Sequence, residues 1–291
     1  MLLELLGIVA PIYACIGLGW VWARTGRRYD TDFVTELIMV VGGPALVFSS
    51  LTDLAVDPAV MLGMAGAALA ALALMAIIGA VLLAALRLPR HTYLSPLVFM
   101  NTGNIGLPVC LFAFGDVGLS LGVTFFAVCA LGQFTVGIAI WSGRMELGEL
   151  LRTPLAWATV LAVVALACDI PVPEWLQRTT HVLGGFTIPL MQFTLGVSLH
   201  RLRVGGIRRT VGLAAVRIGL GLAVGVGLAW LFALDGVVRS VFILDCAMPV
   251  AVFNYLLAQR YDRSPADVAG LVVVSTLLSL VTLPMLLGWL L

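Results

Sequence analysis

Two short stretches hold the polar residues that could do chemistry. In Met100-Asn-Thr-Gly-Asn-Ile-Gly-Leu-Pro-Val-Cys110, two asparagines, two glycines and a proline fall within eight positions of an otherwise apolar run. The second stretch is Asp245-Cys-Ala-Met-Pro249, with Asn254 five residues further on. A lipid-facing helix has no use for either composition. Backbone at membrane depth leaves the helix only where protein or an aqueous cavity supplies hydrogen-bond partners, so both stretches read as interrupted helices lining a site. Asn101, Thr102 and Asn104 offer neutral donors and acceptors suited to a carboxylate or to an unwound backbone, while Gly103 and Gly106 permit close approach. The plainer alternative is a kinked span whose amides only satisfy exposed backbone.

If each segment breaks ahead of its proline, the second half-helix is expected to start near Pro108 or Pro249, where proline suits a first turn. Two converging helix starts, each with partial positive charge and free N–H groups, make an anion site. The ends of the first half-helices present carbonyls suited to a cation. The pattern therefore favours a small carboxylate together with a coupling ion, a proton or sodium. Asp245 requires a proton, a cation or an arginine in such surroundings. Arg217 is the one arginine away from the loops and is the candidate partner. Two readings stay open: a fixed Arg217–Asp245 pair that adds rigidity, or Arg217 on the substrate with Asp245 on the coupling ion. Asn254 is expected to face the site. Gln133 and Thr276 are secondary candidates, because amides and hydroxyls often merely link helices.

The elements that must position these residues follow from composition. The chain has 291 residues, 62% hydrophobic and 11% charged, with a mean hydropathy of +1.12. Soluble domains carry about 25% charge, so this is an integral membrane protein, and its continuous apolar runs select helices over a barrel. At about 20 residues per crossing, ten spans are expected, near 5–23, 33–52, 59–86, 94–114, 117–141, 154–170, 180–199, 207–234, 238–258 and 266–290. All sixteen basic residues are arginine, and thirteen of them, Arg203 among these, fall in loops after the odd-numbered spans. Only Arg178 and Arg239 lie on the opposite side. The positive-inside rule then places both termini outside a cell membrane.

Five spans per half make the second half enter from the other side. Pro11 aligns with Pro154, Pro44 with Pro189 and Asn104 with Asp245, at offsets of 143, 145 and 141 residues. An all-α fold of two inverted five-helix repeats is expected, residues 1–141 and 142–291, with broken helices 4 and 9 crossing at the midplane. Other classes find little support. No basic run with interleaved aromatics addresses nucleic acid. The five cysteines form neither CxxC nor a Cys/His cluster, so no metal or other cofactor is called for. There is no HExxH of a metalloprotease. Asp169 and the three histidines fall at span ends, where solvation is expected.

Gly103-Asn-Ile-Gly-Leu-Pro108, Pro249-Val-Ala-Val-Phe-Asn-Tyr-Leu-Leu-Ala-Gln-Arg-Tyr261 and Ser275-Thr-Leu-Leu-Ser-Leu-Val-Thr-Leu-Pro284 resemble the auxin efflux carrier family in its prokaryotic branch. The resemblance implies an elevator-type secondary transporter related to bile-acid/sodium symporters and sodium/proton antiporters. Scaffold helices at about 5–52 and 154–199 would form a homodimer, and transport helices at about 59–141 and 207–290 would move. It further implies an organic-anion substrate, such as malate, malonate or an indole acid. By position, Asn101 and Asn104 would line the substrate site, with Asn254 opposite.

Overall fold

The computed structural model describes residues 2–52, 56–144, 148, 152–168, 170–202 and 207–291. Asp169 and Arg203 lie outside them, so their expected placement at span ends is not addressed. The described residues are helical with no β-strand, and seven helical stretches are long and apolar enough to cross a membrane. α1 is Leu2–Arg24. α2, Thr31–Leu37, runs through a π-helical turn, Ile38–Gly42, into α3, Gly43–Thr52. α4 is Pro58–Ala85. Its start is set by Asp57, whose carboxylate accepts from the Ala59 N–H at 2.7 Å, and by Pro58, which needs no donor in a first turn.

α5, Arg90–Val98, stops at Phe99. After three non-helical residues the chain resumes as a π-helical turn, Thr102–Gly106, then α6, Leu107–Gly132, a third π-helical turn, Gln133–Gly137, and α7, Ile138–Ser142. α6 bends at Gly115, where φ is +64 and ψ −154, a conformation that suits glycine. The bend falls between the fourth and fifth expected spans. α8 is Pro154–Ala167, α9 Glu174–Gly185 and α10 Thr187–Arg201. α11 is Ile207–Leu231, α12 Gly236–Cys246, α13 Phe253–Arg260 and α14 Pro265–Leu290. The ten-span reading and the seven long stretches differ in three places. Expected spans 4 and 5 share one bent 41-residue helical run, the sixth is only 14 residues, and the ninth is split between α12 and α13.

Small residues let backbones approach where these helices cross. Gly19 of α1 faces the Phe193 carbonyl of α10, and Gly196 of α10 faces the Ile16 carbonyl of α1, with no room for a side chain at either. α3 packs on both α8 and α9. In the other group of helices, α11 lies against α12 through Gly221 and Gly225, which abut Cys246 and Ile243. The main buried cluster joins α4, α6 and α12 around residues such as Met75, Phe125 and Phe242.

Candidate functional site

The two interruptions meet. Met100 and Val250 form an isolated antiparallel bridge. Asn101 N donates to the Pro249 carbonyl at 2.7 Å, and Ala251 N donates to the Phe99 carbonyl at 3.2 Å. The Val250 N–H donates to Ser275 Oγ of α14 at 3.0 Å. Backbone polar groups released from two helices are thus satisfied across the break.

Both helix starts differ from their expected positions. The first resumes at Thr102, capped by Asn101, whose Oδ1 accepts from Asn104 N at 3.3 Å. Pro108 lies past a complete π-helical turn, because Gly106 N already donates to Asn101 O at 3.2 Å. The second start is Phe253, and Pro249 lies in the extended break, its carbonyl committed to Asn101. Asparagine with a free acceptor caps a helix better than the proline that follows it, and the bridge keeps Pro249 and Val250 extended.

A cavity of about 300 Å³ lies over this crossover. Asn101, Thr102, Gly103, Asn104 and Gln133 line it, as do Ala251, Val252 and Phe253 at the second break. All three π-helical turns among the described residues border it, through Ile38 and Met39, Thr102 to Asn104, and Gln133 and Phe134. Such turns recur at functional sites because the extra residue widens the helix and frees backbone groups. The opposite wall was missed in the sequence: Thr187, Met191, Thr194 and Ser198 of α10 with Thr31 and Thr35 of α2. Its signal was available, since hydroxyls at 187, 194 and 198 share one helical face.

At the mouth, Arg201 donates from Nη1 to Thr31 Oγ1 at 2.7 Å and from Nη2 to the Tyr29 carbonyl at 2.9 Å. The Tyr29 hydroxyl shares a 2.6 Å hydrogen bond with Thr194. Burial raises the Tyr29 phenol above its ordinary value, against the opposite pull of Thr194 and Arg201, so it stays neutral at physiological pH. These contacts pin the α1–α2 connection to the end of α10.

The other expected site residues stand behind the cavity wall. Asn254 is fully buried: its Oδ1 accepts from Ser95 Oγ at 2.7 Å and Gln133 Nε2 at 3.2 Å, and its Nδ2 donates to the Phe99 and Ala251 carbonyls, each at 3.2 Å. All its polar capacity is used inside the protein, so it clamps the two breaks together. Thr276 is buried, and its hydroxyl has no partner. Asp245 and Arg217 are both fully buried and do not pair with each other. Arg217 Nη2 donates to the Cys246 carbonyl at 3.1 Å, and the Cys110 thiol faces Asp245 Oδ2 at 4.0 Å. The fixed ion pair considered from the sequence is therefore not formed. In contrast, Asn101 Nδ2 is a buried donor with no partner on a residue that lines the cavity.

Residues 139–287 match the profile of a family described as membrane transport proteins. An uncharacterized transporter of Methanocaldococcus jannaschii is 26% identical over 202 residues, 66% of this chain and 65% of that protein. One of Methanothermobacter thermautotrophicus is 28% identical over 195 residues, 64% and 63% of the two chains. Auxin efflux carrier component 1 of Arabidopsis thaliana is 23% identical over 139 residues, 45% of this chain and 22% of the plant protein. The chain thus matches less than two thirds of the length of the archaeal relatives, and these relatives are transporters rather than enzymes. With over half its length matched, this multi-pass membrane chain belongs to the membrane transport protein family, the auxin efflux carrier family that its two broken-helix motifs resemble.

Proposed function

We propose that this protein is a secondary carrier of small organic carboxylates, such as malate, malonate or indole acids, which bind over the crossover of the two broken helices. The observation that carries this reading is the unpartnered Asn101 Nδ2, a buried donor at the floor of the cavity. A buried donor without a partner costs about 1–3 kcal/mol, which an arriving carboxylate oxygen recovers. Beside it, the helices that begin at Thr102 and Phe253, both of which line the cavity, point positive dipole ends at the same space. Asn104, Thr194 and Ser198 add neutral hydrogen-bonding groups around the cavity. Arg201 at the mouth attracts the anion.

Alternating access in this reading is an elevator motion of the transport helices, α4 to α7 and α11 to α14, against a scaffold of α1 to α3 and α8 to α10, which also forms the homodimer. The packing supports an inverted repeat of ten crossings. α1 packs on α10, and α3 packs on α8, so exchanging the first with the sixth crossing and the second with the seventh maps one contact onto the other. The protein then lies in the cell membrane with both termini outside, and a proton or sodium couples transport. Counterflow in proteoliposomes tests the function. With unlabelled malate, malonate, succinate or indole-3-acetate inside, the labelled compound should accumulate transiently. Flux without such exchange would identify a channel, and no flux of any of the four would end the carboxylate assignment.

A further inference from the structure

We infer that Asp245 is a proton-binding site set one helical turn behind the cavity floor, and that the coupling ion is a proton rather than sodium; this rests on the carrier reading above. Asp245 is fully buried at the last turn of α12 and its Oδ1 has no hydrogen-bond partner. The carboxylate is pressed against the back of the Thr102–Gly106 turn: a Cβ on Gly106 would stand 2.5 Å from Oδ1. Thr102, Gly103 and Asn104 of that same turn face the cavity. One layer of backbone, wound as a π-helix, therefore separates substrate space from this acid.

The surroundings select the ion. The Gly106 face that Asp245 shares also carries Met248 Cγ and Thr102 Cβ, and Oδ2 faces the Cys110 thiol at 4.0 Å. Sodium needs a shell of several oxygens, and the neighbours named here are two carbons and a thiol. A proton needs no shell. It removes the cost of a buried carboxylate whose Oδ1 has no donor and whose Oδ2 has only a thiol at 4.0 Å. The ionisable groups around Asp245 are Cys110 and Cys129 from α6 and Cys246 on its own helix, and Arg217 of α11 reaches the Cys246 carbonyl. α4 contributes the Met75 thioether, 3.8 Å from Arg217 Nη1.

Arg217 gives the cycle its second state. It is fully buried, its Nε has no partner, and its Nη2 holds the carbonyl of Cys246, the residue next to Asp245. When Asp245 loses its proton, which must pass the Thr102–Gly106 turn to reach the cavity, the new carboxylate and this guanidinium, held on the neighbouring residue's carbonyl, attract each other. Arg217 then leaves the Cys246 carbonyl for the carboxylate and loosens the end of α12 at the break that forms the cavity floor. Reprotonation reverses the exchange, and no other reactant is required.

The test uses the full-length protein in lipid. Infrared difference spectra between neutral and alkaline pH should show the carbonyl stretch of a protonated carboxylic acid, shifted in deuterium oxide and lost in Asp245→Asn. Asp245→Glu should keep the band at a shifted frequency, which preserves the test if the asparagine variant does not fold. Net malate uptake driven by an imposed pH gradient should lose its response to that gradient in Asp245→Asn. The inference is overturned if the wild-type protein shows no such band, if Asp245→Asn retains it, or if sodium, but not pH, shifts the wild-type melting temperature through Asp245. Failure of the wild-type protein to exchange any of malate, malonate, succinate and indole-3-acetate would refute the carboxylate reading, while the infrared band would still decide this one.

Discussion

Asn101 and Asn254 are both buried at the crossover, yet their hydrogen-bond balances are opposite. Asn254 has every polar position filled by Ser95, Gln133 and two carbonyls, whereas Asn101 spends its Oδ1 on a cap and leaves Nδ2 unused. Their alanine variants should separate accordingly. Asn254→Ala removes a partner from the Ser95 hydroxyl, the Gln133 amide and the Phe99 and Ala251 carbonyls, which costs about 3 kcal/mol. The expected outcome is a clearly lower melting temperature in detergent. Asn101→Ala loses one cap, worth about 1 kcal/mol, and should melt close to wild type while losing malate exchange. Equal thermal losses in the two variants would show that Asn101 also serves only the backbone. The sequence displayed both residues as intramembrane amides but not this difference. Type and spacing show that an amide is available, and only the partners around it tell whether its capacity is already used.

At the level of elements, the interruptions were legible because glycine, asparagine and proline have no role on a lipid-facing helix. Their registers were not. The resumption at Thr102 depends on Asn101 reaching Asn104, and Pro249 stays extended because Val250 bridges to Met100, a partner 150 residues away. No local signal carries such a pairing. The π-helical turns are hidden for the same reason, since one inserted residue is visible only against its neighbours. Helix crossings show the converse. Gly19 and Gly196 each admit a facing carbonyl, Phe193 and Ile16 respectively, so a side chain at either position must separate α1 from α10. Gly196→Val should cost roughly 3 kcal/mol or more through overpacking, seen as loss of the folded peak in size-exclusion chromatography. Gly227→Ala, where nothing lies close to the added methyl, should elute as wild type and serves as the matched control.

For the whole molecule, the cavity has a direction. From the floor at Asn101 it extends along α10 to Ser198 and Arg201, along α2 to Thr31, and along α13 to Gln259. These mouth residues adjoin the arginine-bearing connections at Arg24, Arg27 and Arg28, at Arg201, and at Arg260 and Arg263. In the proposed orientation, with both termini outside, that side is the cytoplasmic one, and the cavity is predicted to open inward. Cysteine accessibility tests this orientation without a known substrate. In a background with the five native cysteines replaced by serine or alanine, Gln259→Cys and Ser198→Cys should react with a membrane-impermeant maleimide in inside-out vesicles and stay protected in right-side-out vesicles. Cys168, exposed at the far end of α8, should show the opposite pattern when restored alone. Malate added to inside-out vesicles should slow labelling at Ser198→Cys, which lies deeper, more than at Gln259→Cys. Equal labelling of Ser198→Cys from both faces would mean that the cavity is continuous across the membrane. That result would favour a conducting pore over a carrier that opens to one side at a time.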